Sequence, residues 1–126
     1  MKHFVVEATY SAPFERVREA IPRHRVWLQK GYDLGLFLCS GPKVPPTGGY
    51  LVARAASVDV LQTMFAEEPF YKEGLASFTF TEFDPVKRQG WTEGWFNATS
   101  PLPPRASLDQ LRSTLGDDED SHCSSL

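Results

Sequence analysis

What most constrains the fold of this chain is a change of hydrophobic period near its start. Residues Lys2 to Thr9 alternate, with Phe4, Val6 and Ala8 on one side and His3, Val5, Glu7 and Thr9 on the other. That is the period of a half-buried strand. Ser11-Ala12-Pro13 interrupts it, and from Phe14 the apolar positions take helical spacing: Phe14, Val17, Ile21, His24 and Leu28. Such a stripe faces a core. Pro22 falls inside the stripe, lacks an amide donor and disfavours helical dihedrals at Ile21. The spacing therefore predicts a helical turn over 14–20 and a main helix that starts at Pro22. His24 would then lie in the first helical turn, facing inward, where the macrodipole favours a neutral imidazole.

Asp33-Leu34-Gly35 reads as the helix end. Leu36 to Ser40 reads as a second strand stopped by Gly41-Pro42, and the Pro-rich stretch from Lys43 to Gly48 as the loop of a hairpin whose return strand is Gly49 to Arg54. Ser57 is a helix cap with Asp59 in the first turn, and Val58, Leu61, Met64 and Phe65 form a buried stripe. Extended by seven residues, that stripe puts Glu68 on the inner side of the last turn, with Pro69 as terminator. Leu75 to Phe83 is a fourth strand, with Ala76, Phe78 and Phe80 opposite Ser77, Thr79 and Thr81.

Strand, helix, strand, strand, helix, strand is the order of a ferredoxin-like βαββαβ domain of the α+β class. Right-handed crossovers put both helices on one face of a four-stranded antiparallel sheet. The other face is left bare, and a bare face with large side chains calls for a partner. The simplest partner is a second copy packed sheet to sheet, giving a homodimer.

The net charge of -3 comes from the C-terminal end: residues 1–104 hold 11 Lys/Arg and 11 Asp/Glu, and residues 105–126 hold 2 and 5. A neutral domain offers no electrostatic footprint for nucleic acid. No run approaches the roughly 18 apolar residues of a membrane span, and the first residues go directly into strand alternation in place of a signal peptide's apolar region. The expected location is the cytoplasm. Cys39 and Cys123 have no neighbouring ligands in sequence, so the thiols are expected reduced and no metal site is expected. Neither a phosphate loop nor a dinucleotide glycine fingerprint occurs, and no flavin, nicotinamide or other cofactor is expected.

His24 is the only histidine away from a terminus. An imidazole is the one side chain in this chain able to exchange a proton at physiological pH without special tuning. On an apolar stripe, a histidine is by default a core residue satisfied by one hydrogen bond.

Pro22-Arg23-His24 followed by Leu28, then Ser40-Gly41-Pro42, then Glu67-Glu68-Pro69-Phe70 with Gly74, and Pro85-Val86-Lys87, together resemble the YciI-like proteins of the YCII-related domain family. The resemblance spans residues 1–87. It implies a dimeric α+β barrel, in a superfamily that includes muconolactone isomerases, a dehalogenase and cofactor-independent monooxygenases. It also implies a histidine and carboxylate pair in a cleft, carried by His24 and Glu68, with Ser40, Gly41, Pro42 and Phe70 about a small organic substrate. This sequence has Glu68 where the family usually has aspartate, and Ile21 where many members have an arginine that could hold a carboxylate. The function so implied is proton transfer, of isomerase or lyase type, on a lactone-like or activated carbonyl compound. The alternative is a non-catalytic module for small-ligand binding or dimerisation.

Residues 88–126 lie beyond the resemblance. Trp91, Trp95 and Phe96 are too apolar to hang free, so 88–98 is expected to fold back on the domain. A weak helix is expected over 107–115 and a disordered acidic tail over 116–126.

Overall fold

The structure, a computed structural model, describes residues 1–98. Nine residues of alternating character form β1 (Lys2–Tyr10), and α1 (Phe14–Asp33), β2 (Phe37–Pro42), β3 (Gly48–Ala55), α2 (Val58–Phe65), α3 (Pro69–Lys72) and β4 (Ala76–Phe83) follow. A single sheet runs in the order β2-β3-β1-β4, and every pairing is antiparallel. This is the expected ferredoxin-like arrangement, with β2 and β4 as edges.

Register decides which side chains meet the helices. Val6 lies opposite Leu51 on one side and Phe80 on the other, and Ala8 lies opposite Phe78. With Phe4 and Ala53 they make the floor of the core, onto which Leu61 and Phe65 of α2 pack, with Trp27 and Leu28 of α1 alongside. A second cluster, built from Val17, Ala20, Ile21, Phe70, Leu75 and Ala76, closes the end of the sheet where β1 finishes and β4 begins. Phe14, expected on the buried stripe, is instead 36% exposed and lies beneath Arg18.

Three expectations about element ends are corrected. Pro22 does not divide the first helix, because α1 is one continuous element of 20 residues. Pro22 is exposed, so its ring meets no neighbouring element, and the buried stripe on the opposite side holds both halves together. Gly41-Pro42 does not stop β2, since Pro42 pairs with Gly49 on an edge strand, where a missing amide donor costs nothing. The helix carrying Phe65 stops there, three residues before Glu68.

The other face of the sheet carries His3, Val5, Glu7, Tyr50, Val52, Arg54 and Phe83, with Ser77, Thr79 and Thr81 along β4. It is not uniformly apolar: Lys43 pairs with Glu7 at 2.7 Å, and the Tyr50 hydroxyl donates to the same carboxylate. One end of this face is covered. After a 3-10 turn at Gly90–Thr92, α4 (Glu93–Phe96) sets Trp95 and Phe96 against His3, with ring centroids 5.8 and 5.2 Å away. The buried Arg54 guanidinium donates to the Trp95 and Ala98 carbonyls and to Gly35 O, which also accepts from Trp95 Nε1. The helix expected over 107–115 and the tail over 116–126 lie outside the described residues.

Candidate active site

Glu68 and Pro69 explain each other. Pro69 occupies the first position of α3, where its missing amide is one that no helix could satisfy, and Glu68 is the N-cap with extended backbone. The Glu68 Oε2 accepts from the Tyr71 amide at 3.0 Å. Glu68 therefore sits at the start of a helix and not in the last turn of the one before. Its charge then lies at the favourable end of the helix dipole, where a last-turn carboxylate would have opposed it.

The same carboxylate reaches across to α1. Oε1 lies 2.6 Å from His24 Nδ1, and both side chains are fully buried. A carboxylate this close to a ring nitrogen accepts its proton, so the geometry assigns the hydrogen to Nδ1. Residue 24 lies near the middle of α1, and the dipole effect fades within the first turn, so the expected influence of a helix N-terminus on this ring falls away. The carboxylate fixes the tautomer instead.

Phe70, the second residue of α3, stacks on the imidazole with centroids 4.3 Å apart and planes 11° from parallel. It has no exposed surface. The ring is thus gripped on an edge by Glu68 and on a face by Phe70. Among the described residues Nε2 has no hydrogen-bond partner, although it is buried. Buried polar atoms are nearly always paired, so a ring nitrogen that no described protein group engages stands out. It is also shut off from solvent in this conformation, because His24 is 0% exposed.

The remaining candidates lie elsewhere. Ser40 exchanges a hydrogen bond of 2.8 Å with the Tyr32 hydroxyl. With Gly41 and Pro42 it borders an open cleft of about 280 Å³ whose other walls are Cys39, Tyr50, Leu51 and Val52. His24, Glu68 and Phe70 contribute nothing to that cleft, so the structure brings the histidine, the glutamate and the phenylalanine together and leaves the Ser-Gly-Pro segment apart. Ile21 is buried in the second cluster. Arg23 points outward and forms a bidentate pair with Glu73 just past α3. Arg23 therefore does not stand in for the arginine that many family members carry at the position of Ile21. Among the described residues no group of three or more His, Cys, Asp or Glu could hold a metal ion. No helix of the described residues is long and apolar enough to cross a membrane.

Sequence spacing missed the Phe70 stack, because α3 is only four residues long and carries no periodicity to read. It also missed Arg54. The available signal was an arginine at the open-face position of an interior strand, with no acidic partner across the register.

No curated protein is detectably similar to the chain. A solved structure that is similar in fold is a 5-chloro-2-hydroxyhydroquinone dehydrochlorinase from Burkholderia phenoliruptrix AC1100, in complex with 2,5-dihydroxybenzoquinone. It superposes with a TM-score of 0.55 at 19% identity, over 71% of this chain and 96% of that one. The profile of the YCII-related domain matches residues 1–84, which contain every strand of the sheet together with His24, Glu68 and Phe70. The chain therefore belongs to the YCII-related domain family.

Proposed function

We propose that this chain is a small-molecule enzyme that transfers a proton with His24, in isomerase- or lyase-type chemistry on a lactone-like or otherwise activated carbonyl compound. The observation that carries the reading is the buried His24–Glu68 pair at 2.6 Å with Nε2 unpartnered. Glu68 holds the Nδ1 hydrogen and stabilises the ring as it charges, which leaves Nε2 to take a proton from carbon and return it. General acid-base help of this kind contributes roughly 10²- to 10⁴-fold. The dehydrochlorinase that shares the fold is in keeping with chemistry of this class, since loss of hydrogen chloride begins or ends with a proton.

Because His24 is fully buried, Nε2 meets a substrate only when the packing around the ring opens, and α3 is the short element beside it. α3 is one turn long, is followed after its cap by Gly74 with φ 70°, and is tied to α1 at the surface by the Arg23–Glu73 pair. That pair is 55% and 41% exposed and is worth at most about 1 kcal/mol. The same burial supports a second reading, a module that binds a ligand or dimerises without turnover, in which His24 and Glu68 only brace α1 against α3.

The test uses α-angelica lactone, a small lactone without a carboxylate, in deuterated buffer. Proton NMR follows deuterium entry and conversion to the conjugated isomer. Wild-type protein is expected to accelerate exchange, and His24→Gln to lose about 100-fold or more of that acceleration. Exchange no faster than buffer across this lactone and a set of cyclic ketones, or equal rates for His24→Gln, favours the module.

A further inference from the structure

Phe70 of α3 stacks on His24, and the next residue, Tyr71, lines a cleft to which His24 and Glu68 contribute nothing. This cleft holds about 340 Å³ and is lined by Gln62, Phe65, Ala66, Tyr71, Phe78 and Phe80. Phe65 forms its back wall, edge-on to Phe78 and Phe80 with centroids 5.2 Å from each. Tyr71, 54% exposed, stands at the rim with Gln62. β4 is an edge strand, so no further strand closes the side.

We infer that this cleft binds a neutral, planar, single-ring molecule carrying one or two hydroxyl or carbonyl groups. The lining fixes each part of that description. Four aromatic side chains favour a flat π system by offset and edge contacts. A dry cavity of about 150 Å³ already accepts benzene, so this space suits one substituted ring. The Gln62 amide and Tyr71 phenol offer a donor and an acceptor at the mouth. Charge is excluded because none of the six side chains is ionic, and Glu67 and Lys72, which flank this stretch of chain, pair with one another at 3.4 Å. An anion would lose hydration here without gaining a counterion.

Contact with the proposed reaction centre runs through two residues. Tyr71 donates its amide to the carboxylate that holds His24, and Phe78 packs against both core clusters, the second of which contains Phe70. As the substrate site the cleft rests on the proton-transfer reading, whereas as a binding site it does not.

The experiment is a titration of the labelled full chain with 4-methylphenol, followed by two-dimensional NMR, with benzoate and cyclohexanol as controls. Shifts are expected at the Gln62 side chain and at Ala66, Tyr71, Phe78 and Phe80, with weaker binding of cyclohexanol and none of benzoate. Tyr71→Ala, at an exposed position, is expected to weaken binding about 2- to 10-fold, as loss of one aromatic contact does. Gln62→Ala provides a second surface variant with the same direction. Benzoate binding as tightly as 4-methylphenol, or shifts scattered away from these residues, overturns the inference. Binding retained in a His24→Gln protein that lacks turnover supports the cleft. If wild type is active but 4-methylphenol leaves these residues unmoved, the cleft fails while the His24 reading stands.

Discussion

At the scale of single residues, the decisive fact is that two ionisable side chains, His24 and Glu68, are buried together. Removing one member of such a pair strands the other, at a cost of about 3–5 kcal/mol. His24→Ala is therefore expected to lower the chemical denaturation free energy by that amount, where a site open to solvent would tolerate the change. His24→Gln, which keeps a donor near the Glu68 Oε1, should lose less, and this makes it the proper variant for kinetics. His3 behaves differently. Burial pushes its imidazole below the ordinary value of 6.5, and the N-terminal ammonium, Arg54 and Arg88 push it in the same direction, against a backbone hydrogen bond at Phe96. A folded pKa below the unfolded one means that the unfolded chain takes up the proton first, so stability is complete above about pH 6.5 and declines as the pH falls from there. Melting temperatures measured between about pH 8 and pH 5 should drop on the acidic side, and less steeply in His3→Gln.

At the scale of elements, α1 and α3 show how much the sequence discloses. Alternation in β1 and helical spacing in α1 were legible because each continues for nine or more residues and each buries one side. Boundaries were not, because they depend on which surface a proline meets. Pro22 faces solvent and the helix runs through it, whereas Pro69 opens α3 and turns Glu68 into a cap. The pairing of residues 24 and 68 followed from the resemblance, but the stacking of Phe70 and the separation of Ser40 depend on three-dimensional packing that periodicity does not encode. Replacing Pro22 with alanine restores an amide donor in an exposed helix interior and is expected to stabilise the protein, by up to about 3 kcal/mol. Gly31→Ala should do the reverse. A Cβ there would lie 1.9 Å from the Phe37 ring, and overpacking of this kind costs about 1–3 kcal/mol in thermal or denaturant unfolding.

At the scale of the whole molecule, one sheet face carries the helices and the proposed reaction centre, and among the described residues Trp95 and Phe96 cover the other at its His3 and Arg54 end. The part that the described residues leave open, around Val5, Tyr50 and Val52, is proposed to meet a second copy, and light scattering should return twice the chain mass of 14.2 kDa. A stable species at the single-chain mass would remove that proposal. Whether the folded protein opens enough to use its sealed histidine is tested most directly by diethyl pyrocarbonate, read peptide by peptide by mass spectrometry while deuterium exchange into α-angelica lactone is followed on the same sample. Proton transfer by His24 predicts that the native protein is acylated at His24 and that exchange activity disappears in step with that label. A His24 that stays unlabelled in the native protein, yet reacts once the chain is denatured, while exchange activity persists, would contradict it.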